Sequence, residues 1–473
     1  MHFTLRMLQT LLAAPNALRS AVKPAPVLSP AKWDYPAAPG EHFTVGTAKV
    51  SIVPGDLHAQ KYYLAGYGAN KPARGVLNPV YATALWLDDN TGHGGLLLIS
   101  VDCVGIMHND VEALRAHLAP LIERTGCRAM HVMSTHVHAG IDTMGFWGKF
   151  PRSGRNESYF RLLFGAIESA AEQAYATRRA GDLHYGNVQT QGIQQDKRLP
   201  EVFDDYAHRF RFMPHDGGRE VHIVNYASHP EVLGSGNKLL SADWVHWLRE
   251  KVEVEADLVY FNGAIGGMIT PTHAPGAGES VESAIVAGVN LAAALQTINN
   301  ERKLEPRLGA AQQKMYVDMS NWIFGVCALL RILPRRKYYT GHGTLRASMK
   351  TEMNILRIGD MNILTIPGEI FPELVLGGYL PANVAGNGCP SQNPQPLREL
   401  FNDPNLIIFG IANDEIGYII PPNDYYLDPK WAYITRTHDH GGRRHYEECV
   451  SCGPRTADII CETAQALLHA TKL

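Results

Sequence analysis

The stretch Ala129-Met130-His131-Val132-Met133-Ser134-Thr135-His136-Val137-His138-Ala139-Gly140 runs from an apolar, strand-like segment into two histidines and then into small residues. Residues two apart in an extended strand point to the same side, so His136 and His138 can approach one point together. Neutral imidazoles at the end of a rigid strand suit zinc or a similar cation. Two histidines in a polar strand terminus would give the same pattern, so the pair alone does not decide between these readings.

Three later segments also end apolar, strand-like runs, and each contains a group that can bind a metal. They are Asn225-Tyr226-Ala227-Ser228-His229-Pro230, Leu364-Thr365-Ile366-Pro367-Gly368-Glu369 and Gly410-Ile411-Ala412-Asn413-Asp414-Glu415-Ile416-Gly417-Tyr418. With the first stretch, they resemble the catalytic domain of the neutral ceramidases, which are zinc amidases that cleave the amide of ceramide. The shared patterns are a THxHSGP-like segment, a strand ending in HP, a PGE segment, and a GLxN segment followed by tyrosine. The resemblance runs from about Phe43 to Leu468 and includes Val45 to Pro54 and Ala65 to Gly68.

The resemblance implies a zinc site whose ligands are His136, His229, Glu369 and Tyr418. A catalytic zinc keeps one position open for water. A tyrosine ligand is unusual for zinc. Without the resemblance, the sequence would predict that Tyr418 is a tyrosine of a core strand.

Three further residues match site positions of the family. His138 is implied to hydrogen-bond the carbonyl oxygen or the attacking water, or to donate a proton to the leaving amine; from geometry alone it could equally be a ligand. Arg198 is implied to stabilise developing oxyanion charge, with a surface salt bridge as the alternative. Tyr446 resembles a second site tyrosine, although its interval from Tyr418 is longer than in the family.

The sequence departs from the family in three ways. Gly266-Gly267-Met268-Ile269-Thr270-Pro271 stands where ceramidases have a Gly-Asp-Val-Ser-Pro segment. The missing serine favours a metal-activated water over an acyl-enzyme. We expect the catalytic domain only, without the family's C-terminal β-sandwich domain. The residues that follow Glu369 and Tyr418 also differ, so a related N-acyl amide or lipid is a safer expectation than ceramide itself.

The chain is 473 residues long, and single cores stop growing near ~250–300 residues. Two lobes, or one large α/β layer with insertions, are therefore expected, with the metal site at strand ends. Strand-like and helical segments alternate, which predicts an α/β fold with a mixed sheet. The predicted strands are 43–52, 82–87, 96–101, 129–133, 183–188, 208–213, 222–226, 258–262, 312–317, 349–358 and 361–366, and the predicted helices are 110–119, 159–177, 244–252, 281–298 and 456–470.

The chain divides into an N-terminal segment, residues 1–40, and a catalytic domain, residues 41–473. The first 33 residues contain no Asp or Glu, and Leu5, Leu8, Leu11 and Leu12 lie close to helical spacing. An amphipathic helix on a membrane surface and a helix packed on the protein's own surface both fit. Pro24 to Gly40 is rich in Pro and Ala and reads as a linker.

Residues 318–345 form a second apolar and cationic segment. Trp322 to Leu330 is apolar, and Arg331, Arg335, Arg336 and Lys337 follow. Such a segment is either a lid or membrane-contact insertion, or a buried helix with a solvated basic end.

Composition limits the partners and the compartment. A net charge of −3 argues against nucleic acid, and no segment reaches the roughly 20 apolar residues that span a bilayer. Seven cysteines do not form a disulfide framework, and the lone pair Cys449 and Cys452 reads as structural or incidental. Arg6 and Gln9 interrupt the apolar run that a secretory signal needs. We therefore expect a cytoplasmic or peripheral membrane protein rather than a secreted one; the oligomeric state is not determined by the sequence.

The leading hypothesis is a zinc-dependent hydrolase that cleaves an N-acyl amide of a lipid-like substrate. One alternative is a metal-dependent esterase or a hydrolase of another small substrate. A second alternative is a non-catalytic lipid-binding protein on the same scaffold. The presence of all four ligand types argues against the non-catalytic form.

Overall fold

The computed structural model describes residues 3–388 and 393–472, with side chains from residue 7 onward. The helices are α1 (Phe3–Val22), α2 (His108–His117), α3 (Ala119–Thr125), α4 (Glu157–Ala176), α5 (Trp244–Val252), α6 (Val281–Gln296), α7 (Trp322–Leu329), α8 (Glu373–Leu376), α9 (Leu397–Leu400) and α10 (Thr456–Thr471). The strands are β1 (Phe43–Ser51), β2 (Tyr81–Asp88), β3 (Leu96–Val101), β4 (Ala129–Ser134), β5 (Arg179–Gln189), β6 (Gln194–Asp196), β7 (Tyr206–Pro214), β8 (Glu220–Tyr226), β9 (Ala256–Asn262), β10 (Ile269–Pro271), β11 (Arg302–Lys303), β12 (Leu308–Asp318), β13 (Lys337–Tyr338), β14 (Ser348–Ile358), β15 (Met361–Thr365), β16 (Glu369–Ile370), β17 (Ile407–Phe409), β18 (Tyr418–Ile419), β19 (Thr437–His438) and β20 (Arg444–His445).

A first mixed sheet is built from the first part of the chain. Its order is β4-β3-β2-β1-β5-β7-β8-β9, and β11 pairs with β5. The pairs β3/β4 and β8/β9 are parallel, and the remaining pairs are antiparallel. Parallel neighbours need a crossover connection, which helices provide. Here α2 and α3 connect β3 to β4, and α5 connects β8 to β9.

A second mixed sheet comes from the later part of the chain, in the order β12-β14-β15-β17, with β13 beside β14. The two sheets share a buried layer in which Phe210 and Phe261 of the first sheet meet Leu356 and Phe409 of the second. The outer face of the first sheet packs against α4, α5 and α6, and the second packs against α10. The expected α/β class with mixed sheets is confirmed.

The strand and helix predictions made from periodicity correspond to observed elements with small shifts of their ends. For example, the predicted strand 222–226 is β8 and the predicted helix 244–252 is α5. The six described cysteines are all free thiols, including Cys449 and Cys452. Among the helices described, none has the length and apolarity to cross a bilayer.

The N-terminal segment and residues 318–345 pack against each other, because α1 contacts α7. The linker after α1 follows the second sheet, where Asp34 forms a backbone bridge with Ala310. Trp322 and Phe324 are buried in the core around α10. These two side chains therefore do not present an apolar surface to a lipid, whereas Leu329 and Leu330 at the end of α7 are exposed. The division into residues 1–40 and 41–473 stays a prediction.

Candidate metal centre

The carboxyl ends of strands from both sheets bring the predicted ligands together. His136 and His229 lie just beyond β4 and β8 of the first sheet. Glu369 and Tyr418 lie beyond β15 and β17 of the second. The isolated bridge between Met133 and Ala412 joins the two regions at this point. The expected placement of the site at strand ends follows from this arrangement.

The backbone turns sharply at His136, which has a φ of +68°, a left-handed conformation that few non-glycine residues adopt. The turn is held because its N–H donates to the carbonyl of Cys103. Its imidazole Nδ1 lies 2.6 Å from the carbonyl oxygen of Val104. In His229, Nδ1 lies 2.8 Å from the carbonyl oxygen of Ile269. A carbonyl oxygen only accepts, so both Nδ1 atoms carry a proton, and Nε2 of each ring is the nitrogen that faces another partner.

The two Nε2 atoms face the carboxylate of Glu369. Its Oε2 lies 3.5 Å from Nε2 of His136 and 3.0 Å from Nε2 of His229. Two ligands of a tetrahedral zinc, at bonds of about 2.0–2.1 Å, lie about 3.3 Å apart. Three such donors that converge on one point can hold a cation, and without one Nε2 of His229 is within hydrogen-bond distance of the carboxylate. The donor set and its spacing therefore fit a zinc ion.

Burial would raise the pKa of Glu369, but positive charge on His136 and His229 and their hydrogen bonds to the carboxylate outweigh it and lower that pKa. The carboxylate is thus held in its charged form. Gly368 is required beside it, because a Cβ there would lie 2.6 Å from the carbonyl oxygen of Gly417. This close approach lets β16 pair with β18.

Tyr418 stands beside Glu369, because the two residues are direct partners in the parallel pair β16/β18. Its hydroxyl donates to Sδ of Met268 at 3.3 Å and lies 3.5 Å from the hydroxyl of Tyr446. Burial, followed by the charge of Glu369, raises the pKa of Tyr418 well above its usual range. The structure thus places both predicted tyrosines in one cluster next to the predicted ligands.

His138 lies within the same cluster, with its ring centroid 4.9 Å from that of His136 and 5.6 Å from that of His229. Nitrogen atoms of the three imidazoles lie within 4.8 Å of one another. Its Nδ1 is buried, has no hydrogen-bond partner and lies 3.8 Å from Oε2 of Glu231. Burial, with a contribution from His136, lowers the pKa of His138 to about 3. The buried nitrogen without a partner places His138 where it can contact a bound water or substrate, and its position also leaves it within reach of a cation.

Two buried carboxylates near the site were not among the predicted residues. Glu231, two residues after His229, accepts from Nζ of Lys197 at 3.1 Å. Glu415 has a carboxylate oxygen within 4.8 Å of ligand atoms of His136 and Glu369. Its Oε2 is buried without a partner. Their positions inside the HP and Asn-to-Tyr segments were the only sequence signals that pointed to them.

Thr270 lies in the segment that lacks the family serine. Its hydroxyl is buried and has no hydrogen-bond partner among the described residues. Its neighbour Ile269 provides the carbonyl that orients His229. A hydroxyl group therefore remains in this segment despite the missing serine.

Arg198 is buried, so the alternative of a surface salt bridge is wrong. Its guanidinium donates to Asp424 at 2.8 Å, to Glu447 at 2.7 Å and to Glu448 at 3.1 Å. The backbone N–H of Tyr446 donates to the same oxygen of Glu447 at 3.0 Å. Arg198 is therefore connected to the tyrosine pair through Glu447.

A second group of metal-binding side chains, Asp424, Asp439 and His445, lies in this network. Arg443 donates to Asp424 at 2.6 Å and lies 2.7 Å from Asp439, while Arg198 pairs with Asp424 from another side. Because cationic side chains already compensate both carboxylates, we interpret this group as an ion-pair network rather than a metal site.

Solved structures of ceramidases share this fold. The crystal structure of neutral ceramidase from Pseudomonas aeruginosa aligns with a TM-score of 0.67 and 15% identity, over 93% of this chain and 75% of that chain. A ceramidase complexed with C2 aligns with a TM-score of 0.68 and 15% identity, over 93% of this chain and 76% of that chain. No protein-family model and no curated protein sequence matches the chain. The resemblance that the motifs indicated is confirmed as a neutral ceramidase-like fold.

Proposed function

We propose that this chain is a zinc-dependent hydrolase that cleaves an N-acyl amide of a lipid-like substrate, ceramide or a related compound. The observation that carries the proposal is the convergence of Nε2 of His136, Nε2 of His229 and Oε2 of Glu369. The fold shared with ceramidases supports a lipid amide as the substrate class.

Zinc is the proposed ion because two imidazoles and a carboxylate are typical of catalytic zinc sites. Tyr418 is the proposed fourth ligand, since its phenol lies beside Glu369 in the paired strands. When bound, zinc lowers the pKa of a water molecule toward about 7 and so supplies a nucleophile at neutral pH.

The remaining side chains would position the substrate and move protons. His138 accepts a proton from the attacking water and returns it to the leaving amine nitrogen. Glu231, 3.8 Å away, stabilises the charged imidazolium in between. The hydroxyl of Tyr446 donates to the substrate carbonyl oxygen as negative charge develops there. Arg198 holds the orientation of Tyr446 through their shared partner Glu447.

Metal content and hydrolysis measured on the same preparation test the proposal. Purified protein should contain about one zinc per chain. It should release fatty acid from an N-acyl sphingoid base, lose that activity on chelation and regain it with zinc. Glu369→Gln should lose metal and activity, whereas Glu462→Gln, an exposed carboxylate of α10, should keep both. Metal-free purified protein without hydrolysis would overturn the proposal in favour of a lipid-binding protein. Cleavage of a matched ester but not of the amide would replace amidase by esterase.

A further inference from the structure

Helix α1 packs on the rest of the protein through a partly polar face. Gln9 is buried, Leu12 packs against the core, and Nδ2 of Asn16 donates to the carbonyl of Leu345 at 2.8 Å. Positions 9, 12 and 16 lie on one face of a helix with 3.6 residues per turn. This inner face, which is partly polar, holds α1 on the protein.

The opposite face of α1 is apolar and faces outward. Met7 is 53% exposed, Leu11 61%, Leu18 69% and Val22 78%. Steps of four, seven and four residues place them along one side of the helix, on the face opposite to Gln9 and Asn16. We call these four residues the outer stripe. A surface helix of a soluble domain normally has the reverse arrangement, with its apolar face toward the core.

The end of α7, the helix that contacts α1, has two further exposed apolar residues. Leu329 is 66% exposed and Leu330 45%, and α7 contacts α1. Contiguous exposed apolar surface marks an interaction site, whereas isolated exposed apolar residues do not.

The charge around the outer stripe is of one sign. Residues 1–33 and 319–351 contain no Asp or Glu, yet they contain ten Lys or Arg residues, which are Arg6, Arg19, Lys23, Lys32, Arg331, Arg335, Arg336, Lys337, Arg346 and Lys350. The chain as a whole has a net charge of −3. Residues 57–87 also lack Asp and Glu but contain only three cations, Lys61, Lys71 and Arg74. The two stretches named above contain four and six cations, and they contact each other through α1 and α7.

At least five of these ten cations have no carboxylate partner among the described residues. Arg335 pairs with Asp414 and Lys350 with Glu112. In contrast, Arg19, Lys23, Arg331, Arg336 and Lys337 form no ion pair with any carboxylate that the structure describes. An apolar stripe flanked by unpaired cations matches an anionic lipid surface, because apolar side chains enter the acyl boundary while cations meet the headgroups.

We propose that the outer stripe of α1, with Leu329 and Leu330, docks this protein on an anionic lipid bilayer surface. The docked helix lies in the plane of the interface, and the unpaired cations contact lipid phosphates and carboxylates. Arg335, in the same segment as Leu330, pairs with Asp414 and donates to the carbonyl of Glu415. The docking surface thus connects directly to the loop that carries Tyr418, although docking does not depend on the proposed chemistry.

Vesicle co-sedimentation of the full-length protein tests this. The protein should bind vesicles of phosphatidylcholine with phosphatidylserine, bind pure phosphatidylcholine more weakly, and lose affinity as salt rises. The variant Leu11→Ser/Leu18→Ser should lose more than about tenfold in affinity. Val254→Ser is the matched control, since Val254 is 73% exposed in the turn before β9, and it should bind like the unmodified protein.

A charge variant provides a second test that does not alter the apolar stripe. Lys23→Gln/Arg331→Gln should weaken binding to the anionic vesicles by about fivefold per charge removed. Lys238→Gln/Lys251→Gln, which removes two exposed cations elsewhere, should leave binding unchanged.

Three results would overturn the proposal. They are failure of the unmodified protein to bind either vesicle, equal binding by the Leu11/Leu18 variant, and a dimer in solution that this variant abolishes without any vesicle binding. The last result would show that a second copy of the chain covers the outer stripe.

Discussion

At the scale of single residues, the orientation of two imidazoles decides what the site can bind. The carbonyl oxygens of Val104 and Ile269 accept hydrogen bonds from Nδ1–H of His136 and His229, so both Nε2 atoms face Glu369. We predict that His136→Ala and Glu369→Ala each abolish tight zinc binding and activity, because a catalytic zinc site has few protein ligands to lose. Metal analysis after gel filtration measures this, and a variant that kept full zinc and normal turnover would remove its residue from the ligand set.

His138→Ala should behave differently from the ligand variants. Its Nδ1 is buried without a hydrogen-bond partner and lies 3.8 Å from Oε2 of Glu231, and this position is the reason for proposing an acid/base role rather than a ligand role. We predict that zinc content stays and that kcat falls by ~10²–10⁴-fold. Metal analysis and steady-state kinetics on one preparation separate the two roles. Loss of zinc in this variant would instead make His138 a ligand.

Arg198 has a structural role that can be separated from chemistry. Its guanidinium compensates Asp424, Glu447 and Glu448 in a buried network. We predict that Arg198→Met lowers the free energy of unfolding by roughly 3–5 kcal/mol, since removal of one partner leaves buried charges uncompensated. Urea unfolding measures this, with Arg455→Met as a control because Arg455 is exposed in its pair with Asp318. An Arg198 variant of normal stability would show that the network does not need this cation for folding, and lost turnover in that variant would then come from the site, through Glu447 and Tyr446.

At the scale of elements, long periodic segments could be predicted from the sequence, and short or long-range features could not. Alternation of apolar residues identified strands such as β8, and helical spacing identified α4. The pair β16/β18, which brings Glu369 beside Tyr418, has two residues per strand and so has no readable period. The partners of Arg198 are more than 200 residues away along the chain. No local pattern encodes such contacts.

The start of α4 offers an element-scale prediction. Asn156 caps this helix, because its Oδ1 accepts from the N–H of Ser158 at 2.9 Å and of Tyr159 at 3.3 Å. We predict that Asn156→Ala lowers the free energy of unfolding by about 1 kcal/mol, as loss of an N-cap typically does. Gln173→Ala, on the exposed side of the same helix, is the control and should change stability much less. Equal stability of the two variants in urea would show that the cap contributes nothing.

At the scale of the whole molecule, the proposed metal would connect the two sheets. His136 and His229 follow strands of the first sheet, and Glu369 and Tyr418 follow strands of the second. The sheets also share a large apolar layer that includes Phe210, Phe261 and Phe409. Removal of the metal should therefore lower the stability of the folded state without unfolding the protein.

We predict that zinc raises the thermal unfolding temperature and that a chelator reverses the increase. A ligand that binds only the folded state at about 1,000 times its Kd stabilises that state by roughly 4 kcal/mol. Glu369→Gln should melt at the same temperature with and without chelator, because its site no longer holds the ion. Calorimetry of the unmodified protein and of Glu369→Gln, each with zinc and with chelator, measures the four unfolding temperatures. If zinc did not change the unfolding temperature of the unmodified protein, His136, His229 and Glu369 would converge without binding a metal.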